Sequence, residues 1–554
     1  MRWQRLASTR LKRKALATTP RLQIYNLLFF PALSVFSLRR CKRNPLVSGR
    51  ILTTGLIVLL LLSACSQPHD NQAIRMGLAS APLNLDPRYA TDATSERINR
   101  LLYQRLVEFD TQSMPVPGIA DWQRLTPRHY RFYLSDNVNR FTGGHRLEAD
   151  DVIATYQHVL DPDNASPRRA SLTLIESITK VDQSTIDFRL SRTDPLFPAY
   201  LTLDILPMGL LNKAHNFARQ PVGSGPFTFY AWPESGRLIL ERRRDHQLIE
   251  LLEVKNPTVR ALKLLRGEID MLQNDLSPEL IGYLQSQTGI NLQRRHGSNF
   301  TYLGFNLQDP DTGDPRVRRA IAHAIDRQAI IDQVMHGAAR QAETLFPPEH
   351  WASSGDLTTY TYDPATSRAL LSEAGYDAGN PLHLVYKTSS DPYRIRLATI
   401  IQSQLKTVGI EVDLRSYDWG TFFGDIKRGN FQLYSLSWVG IRTPDVFRYI
   451  FASESLPPMG ANRGRYSSPS VDRLLLQAEA AGALQQQARL YRQIQQQIHY
   501  DLPYVPLWYE DQVSALGARV SGYKLMMDGN YDGLERVSIH HPEDSQHAQT
   551  AAAY

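Results

Sequence analysis

The chain has 554 residues, and its 62 basic and 55 acidic side chains give a formal charge of +7. A composition of 42% hydrophobic and 21% charged residues is typical of a folded soluble protein. It excludes a long disordered chain, a collagen-like chain and a protein that crosses a membrane many times. Two cysteines are too few for a disulfide framework or a cysteine-rich metal site. The length predicts roughly three lobes, since single cores stop growing at about 250–300 residues.

The positive charge is concentrated at the N-terminus. Residues 1–64 hold 12 basic side chains and no acidic ones, and removing these 12 from the 62 leaves 50 basic groups against 55 acidic ones. The rest of the chain is therefore close to −5, and we expect no nucleic-acid partner. A basic nucleic-acid-binding arm is the alternative for the leader, but the same stretch is also apolar.

Residues 51–65 have the features of an export signal. An apolar run from Leu56 to Leu62 follows Arg50 and precedes two small residues, and it is too short to span about 30 Å of hydrocarbon. Its ending, Leu62 to Cys65, resembles a bacterial lipobox, which implies cleavage before Cys65, lipidation of that thiol and attachment to the membrane. A core helix followed by a chance cysteine is the alternative.

About fifty residues precede this signal, many more than an export signal normally has. We hypothesise that residues 1–46 are not part of the exported protein and that translation starts at Leu46 or Val47. Ser66 follows the cysteine and leaves sorting to the inner or the outer membrane open.

The first elements of the exported part are a strand and a helix. Residues 74–79 predict the strand, and Thr94 to Leu106 predict the helix because Ile98, Leu101 and Leu102 recur at helical spacing. Between about residues 110 and 200, short alternating strands are separated by turns.

Residues 300–510 predict strands that alternate with helices. Asp314 and Asp363, each followed by a proline, predict helix starts, and Gly375 and Gly409 predict helix ends. This alternation predicts a mostly parallel α/β sheet, in which ligands bind at the carboxyl ends of strands and, with two lobes, in the crevice between them. The Gln/Ala-rich stretch 477–497 predicts one solvated helix.

Motifs for catalysis or metal binding are absent from the sequence. There is no His-Glu-x-x-His, Cys-x-x-Cys or Gly-x-Ser-x-Gly pattern. The stretch 223–226 (GSGP) lacks the lysine of a phosphate loop and predicts a tight turn, and Asp150 with Asp151 predicts a helix N-terminus. We therefore predict no catalytic residue, no metal site and no cofactor, although a triad need not be local in sequence.

Seven separated stretches carry a family resemblance. They are Leu85–Pro87 (LDP), Leu101–Val107 (LLYQRLV), Pro221–Phe227 (PVGSGPF), Gly267–Asp270 (GEID), Val317–Asp326 (VRRAIAHAID), Leu370–Tyr376 (LLSEAGY) and Asp501–Leu507 (DLPYVPL). In type and order they resemble the extracellular solute-binding proteins of family 5, the dipeptide-, oligopeptide- and nickel-type receptors of ABC importers. The resemblance runs from about residue 74 to the C-terminus.

The resemblance implies an α/β fold like that of periplasmic binding proteins, with two α/β lobes joined by a hinge and an extra subdomain inserted in the first lobe. We divide the chain accordingly into a leader (1–64), a lipidated tether (65–73), lobe I (74–108, 204–297 and a return segment 513–541), an inserted subdomain (109–203), lobe II (298–512) and a frayed tail (542–554). The implied partners are a small solute and the permease and ATPase subunits on separate chains, and the implied state is a monomer.

One departure from the family concerns the ligand. Peptide receptors of the family carry an aspartate shortly after a tryptophan, and it pairs with the peptide's α-ammonium. Counting from Trp438, that position is Ile441, where a buried ammonium would be unpaired. Asp445 takes the place of the family's aspartate only if the loop after Trp438 follows a different path from that in the family. Arg442 instead predicts a carboxylate or another anion on the ligand, and a solvated residue at the cleft edge is the alternative.

Further residues are expected to line the cleft because of the resemblance. They are Trp419, Trp438, Tyr302, Ser80, Asn462 and Arg463. The sequence thus predicts a lipid-anchored receptor on the periplasmic or extracellular face that binds a peptide-like or carboxylate-bearing solute. A secreted hydrolase and a ligand-sensing receptor without import remain as alternatives, while the lipobox disfavours a cytosolic regulator.

Overall fold

A computed structural model describes residues 72–136, 138–211, 213 and 215–540. The leader, most of the tether and the tail lie outside this range, and so does the predicted lipidation of Cys65. Within the described residues, no helix is long and apolar enough to cross a membrane.

The described residues form nineteen strands. Numbered β1 to β19 in chain order, they are Ile74–Leu78, Val107–Phe109, Pro115–Pro117, Ala120–Thr126, His129–Leu134, Ile175–Lys180, Thr185–Leu190, Phe227–Glu234, Arg237–Arg242, Leu248–Glu253, Met271–Gln273, Ile290–Phe305, Ala339–Gln341, Leu382–Ser389, Ile410–Tyr417, Leu433–Trp438, Tyr504–Gly517, Val520–Ser521 and Ser538–Ile539.

The same part of the chain contains thirteen α-helices. Numbered α1 to α13, they are Ala93–Leu102, Ala149–Leu160, Met208–Leu211, Pro257–Leu265, Pro278–Gln285, Pro315–Ala324, Arg327–Gln333, Pro364–Glu373, Pro392–Thr407, Trp419–Arg428, Val446–Phe451, Pro469–Glu479 and Leu484–Asp501.

One mixed sheet of eleven strands organises most of the described chain. Its order is β15-β14-β16-β12-β17-β11-β1-β10-β9-β8, and β13 pairs with β17. Strand β14 is parallel to β15 and β16, and β1 is parallel to β10 and β11, whereas the other ladders are antiparallel. The prediction of a mostly parallel sheet for residues 300–510 is therefore correct only for β14–β16, because the long strands β12 and β17 are antiparallel neighbours.

The strands β12 and β17 run through two separately packed bodies. We refer to the body built on β1 and β8–β11 as lobe I, and to the body built on β13–β16 as lobe II. Leu516 of β17 packs in the core of lobe I, whereas Leu303 of β12 and Leu507 of β17 pack in the core of lobe II. Two continuous strands thus connect the lobes.

The ladder between β12 and β17 is interrupted midway between the lobes. The register shifts between Arg295 and Asn299. Gly297 lies in this irregular stretch, and a Cβ atom there would be 2.2 Å from the carbonyl oxygen of Glu510. Only glycine permits this close approach of the two backbones.

A third body lies in the chain between α1 and β8. It contains a four-stranded antiparallel sheet in the order β4-β5-β7-β6, together with α2. Its core includes the aromatic side chains of Phe132, Tyr156, Phe188 and Phe197, whose rings contact one another at centroid distances of 5.3–6.4 Å. We refer to this body as the insert.

The predicted helix starts at Asp314 and Asp363 are confirmed. The Asp314 carboxylate accepts a hydrogen bond from the Arg316 amide at 2.8 Å, and the Asp363 carboxylate accepts two at 3.0 Å. In each case a proline occupies the first turn, where its missing N–H costs nothing. The predicted helix start near Asp150 is also confirmed, since α2 begins at Ala149.

Two predicted helix boundaries are wrong. The first helix ends at Leu102 instead of Leu106, because the turn that contains Gly223 and Gly225 packs against its last residues, and the Gly225 amide donates to the Leu102 carbonyl at 2.8 Å. The same contact explains the glycines, since a Cβ on Gly225 would be 2.3 Å from the Leu101 carbonyl oxygen. Residues 477–497 belong to two helices, α12 and α13, separated at residues 480–483.

Candidate functional site

A cavity of about 770 Å³ lies between the two lobes, where β12 and β17 cross from one to the other. Lobe I contributes Ser80, Arg97 and Asp275 to its walls, lobe II contributes Tyr393, and β17 contributes Glu510. We refer to it as the hinge-side cavity. Its walls therefore come from both lobes.

A second cavity, of about 540 Å³, adjoins the first. It lies among α1, the insert and the loop after β16, and it shares Ala93, Arg97 and Val439 with the hinge-side cavity. We refer to it as the insert-side cavity, and to the two together as the cleft. Each volume lies within the range typical of pockets for small molecules.

Arg442 lines the insert-side cavity, but its charge already has a partner. Its Nη2 atom lies 2.5 Å from a carboxylate oxygen of Asp528, and its guanidinium lies over the ring of Phe109 at 5.4 Å from the centroid. Burial lowers the pKa of Arg442, and Asp528 partly offsets that shift. The predicted anion-binding residue is therefore paired with a carboxylate of the segment that follows β17.

Ile441, at the position of the family's aspartate, packs against an apolar cluster of lobe II. Asp445 lies outside the residues that line either cavity. The surrounding protein raises the pKa of Asp445 to about 6, chiefly by displacing water, and the nearby carboxylate of Asp194 adds to the shift. Neither residue offers the cleft a carboxylate to pair with an ammonium group.

Four of the predicted site residues meet at a small pocket within lobe II instead. This pocket, of about 30 Å³, is lined in part by Tyr302, Trp438, Asn462 and Arg463. The Arg463 guanidinium lies 4.7 Å from the ring centroid of Trp438 and donates a hydrogen bond of 3.2 Å to the Tyr302 hydroxyl. A space of this size holds a water molecule and not a solute.

Asn462 and Trp419 have local roles. The Asn462 side chain makes three hydrogen bonds, all to the backbone of residues 452 and 466. Trp419 is 58% exposed on the first turn of α10 and stacks on Phe423, with ring centroids 5.3 Å apart. Of the predicted residues, only Ser80 and Arg442 line the cleft.

Most cleft residues were not predicted from the sequence, and two of them carry a charge on the lobe I side. Arg97 lies on α1 and lines both cavities, and Asp275 follows β11 and lines the hinge-side cavity. A signal for Arg97 was present, because it lies three residues from Thr94 and three from Arg100 and so forms a polar stripe with them on α1. Asp275 had none beyond its place after a strand. Among the described residues, no group of three or more His, Cys, Asp or Glu side chains could hold a metal ion.

A sheet shared by two lobes, with a cleft between them, defines a two-lobe binding protein. The profile described as "Bacterial extracellular solute-binding proteins, family 5 Middle" matches residues 115–456. The chain therefore belongs to the bacterial extracellular solute-binding proteins of family 5, and the resemblance and the fold class that the sequence predicts are confirmed.

The chain is similar along most of its length to characterised relatives. It is 28% identical to heme-binding protein A of Haemophilus influenzae, over 83% of this chain and 91% of that protein. It is 27% identical to the dipeptide-binding protein of Escherichia coli, over 83% and 93%. The solved structure of the periplasmic binding protein DppA from Helicobacter pylori, in complex with peptide STSA, is 26% identical and has a TM-score of 0.69, over 85% of this chain and 98% of that one.

Proposed function

We propose that this chain is the solute receptor of an ABC importer, which captures a peptide or peptide-like small solute between its lobes and delivers it to a membrane permease. The observation that carries the proposal is the cleft, whose walls come from lobe I, lobe II and the insert. A solute that contacts both lobes only when they are close together favours the closed state. The class of relatives supports a peptide or a similarly sized solute.

The experiment starts from protein isolated from the cell envelope. Native mass spectrometry identifies any co-purified solute, and calorimetric titration with di- and tripeptides then measures affinity. We expect saturable binding of one solute molecule per chain without chemical change in the solute. Cleavage of the bound peptide would favour the secreted hydrolase. Binding of the solute by a protein whose source cell lacks a matching permease would favour a sensing receptor.

We also propose that Cys65 carries the lipid that holds the receptor at the membrane, on the periplasmic or extracellular face. The order of charge, apolar run, small residues and cysteine supports this anchor. The lobe divisions at residues 109, 204, 298 and 513 are part of the same proposal. They are supported by the separate apolar cores of lobe I, the insert and lobe II.

A further inference from the structure

The cations of the cleft are all arginines, and nearly all of them are neutralised. Six arginines and no lysine line the two cavities. Five of them have a carboxylate partner at 2.5–3.0 Å: Arg100 with Asp532 and Glu108, Arg105 with Asp204, Arg168 with Glu96, Arg394 with Glu510 and Arg442 with Asp528. A paired guanidinium has little charge left to offer to a ligand.

Arg97 is the exception among the described residues. Its guanidinium has no carboxylate within ion-pair distance and lies 5.5 Å from the ring centroid of Tyr531. It is half-buried and lines both cavities, so it lies where they meet. A partly desolvated guanidinium held by an aromatic ring, with donors still unused, is a suitable site for a carboxylate.

The anions of the cleft follow the same pattern. Seven carboxylates line the two cavities, and four of them pair with the arginines named above. Asp511 contacts His296 at 3.1 Å, and Asp391 caps α9 by accepting from the Arg394 amide at 2.9 Å. Asp275 alone has neither an ion pair nor a hydrogen bond to its carboxylate within the described chain.

The backbone that presents Asp275 is in an unusual conformation. Asn274 and Asp275 both have left-handed φ values, 57° and 54°. The surrounding structure holds them there: the Asn274 amide donates to the Val513 carbonyl at 2.8 Å, the Val513 amide donates to the Asn274 side chain at 2.9 Å, and Arg260 donates to the Asp275 carbonyl. Such a costly conformation persists only when its surroundings enforce it.

The two unpaired charges both line the hinge-side cavity from the lobe I side. A Cβ atom on Gly529 would lie 3.4 Å from Nη2 of Arg97 and 2.7 Å from Oε1 of Gln512, and the same Gln512 oxygen accepts a hydrogen bond of 2.6 Å from the side chain of Asn274, the neighbour of Asp275. Both charges therefore belong to the same part of the cavity wall. A short ligand can reach both without crossing the cleft.

We propose that Arg97 and Asp275 are the specificity-determining residues of the cleft, with Arg97 holding an anionic group of the ligand and Asp275 a cationic one. The ligand is then a short zwitterion, such as a peptide with free termini. This assignment rests on the proposed function. It replaces Arg442, whose charge Asp528 already takes up, as the anchor for an anionic group.

Four probes that share one backbone separate the two contacts. They are tri-alanine, its C-terminal amide, N-acetyl-tri-alanine and the N-acetylated amide, each titrated calorimetrically into the full exported chain. Loss of one charge-assisted contact corresponds to a loss of about ten- to a hundredfold in affinity. We expect a loss of that size for each single block and the weakest binding for the doubly blocked probe.

Matched variants assign each loss to its residue. With Arg97→Gln, tri-alanine and its amide should bind equally, and Arg97→Lys should restore part of the preference for the free carboxylate. With Asp275→Asn, tri-alanine and its N-acetyl form should bind equally. Arg266→Gln and Glu268→Gln remove the same charges from an exposed turn of lobe I outside both cavities, and they should leave all four affinities unchanged.

The outcomes are distinct. If the wild-type chain binds tri-alanine and its amide equally, or Arg97→Gln keeps the preference while remaining folded by circular dichroism, the role of Arg97 is refuted and the proposed receptor function stands. The same holds for Asp275 with the N-acetyl probe. If none of the four probes binds at millimolar concentration, both the peptide-type receptor function and the zwitterion assignment are refuted.

Discussion

At the scale of single residues, the site is decided by which charges already have partners. Arg442 and Arg97 both line the insert-side cavity, and both are partly buried. Only the contacts distinguish them, since Arg442 pairs with Asp528 whereas Arg97 contacts Tyr531. The sequence favoured Arg442 because it neighbours the altered family position. It could not reveal Asp528, which lies 86 residues away along the chain.

We predict that the Arg442–Asp528 pair stabilises the closed arrangement of the lobes. Arg442→Ala, Asp528→Ala and the double variant form a cycle, and since the side chains are 23% and 28% exposed, the coupling free energy should be about 1 kcal/mol. The measurement is the closed fraction of ligand-free protein by small-angle X-ray scattering. Strictly additive single effects would contradict a direct pair.

Asp445 gives a pH dependence whose sign is set by its raised pKa. The folded chain holds the proton up to a pH of about 6, whereas an unfolded chain releases it near 3.8, so folding is favoured less as pH rises through that interval. We predict that Asp445→Asn flattens this part of the stability profile, measured by denaturant unfolding from pH 4 to pH 8. Asp136→Asn, at an exposed site, is the control. Parallel profiles for Asp445→Asn and the wild type would contradict the prediction.

At the scale of elements, the starts of helices could be predicted from local sequence, whereas boundaries set by packing against distant residues could not. Asp314 and Asp363 mark helix starts because a cap needs only the residues of its own first turn. The end of α1 could not be found in the same way, since Gly225, over a hundred residues later, supplies the contact that ends it. The ion pairs of the cleft could not be predicted either, because their partners also lie far apart in the sequence. Trp438, Arg463 and Tyr302 were each expected to line the cleft, yet they meet in a pocket inside lobe II.

A buried ion pair joins α10 to β14. Lys387 Nζ lies 2.7 Å from Asp425, and the two side chains are only 7% and 10% exposed. We predict that Lys387→Met destabilises the protein by about 3 kcal/mol, because it leaves a buried carboxylate with only its contact to Arg428. Arg428→Gln, which removes the exposed partner of the same carboxylate, should cost under about 1 kcal/mol. Equal losses on denaturant unfolding would refute this ranking.

The same pair gives a pH dependence of the opposite sign. The hydrogen bond from Lys387 lowers the pKa of Asp425 below its ordinary 3.8. Its contribution to stability is therefore complete above about pH 4 and is lost as the pH falls through the folded pKa. Lys387→Met should remove this component, so the destabilisation should shrink in acid.

The hinge depends on one glycine. Since a Cβ on Gly297 would lie 2.2 Å from the Glu510 carbonyl oxygen, Gly297→Ala must push β12 and β17 apart between the lobes. We predict a loss of about 1–3 kcal/mol in unfolding free energy, together with a changed scattering profile on ligand binding. The control is Gly282→Ala in α5, where a Cβ meets nothing within 4 Å and where alanine should stabilise by about 0.4–1 kcal/mol. An unchanged unfolding free energy for Gly297→Ala would show that β12 and β17 can move apart here at no cost in stability.

At the scale of the whole molecule, two segments of opposite charge make up the chain. Residues 1–64 carry 12 positive charges and no negative ones, and residues 65–554 are close to −5. A net charge close to −5 after residue 64 gives no reason to expect a polyanionic partner. The positive total therefore comes from residues 1–64, in which eleven of the 12 basic side chains precede Leu46. If translation starts at Leu46 or Val47, the leader keeps only Arg50 and the precursor is mildly acidic as well.

Lipidation is testable through labelling and location. Processing before Cys65 should yield a membrane-bound protein that incorporates labelled palmitate. Cys65→Ser should abolish labelling and leave an unprocessed precursor, because the lipobox cysteine is the acceptor that processing requires. Cys41→Ser, within the stretch that we infer is absent from the exported protein, should change neither property. Palmitate labelling that survives Cys65→Ser would refute the anchor. Binding of tri-alanine would still test the cleft independently, because the acyl chains affect only where the receptor is held.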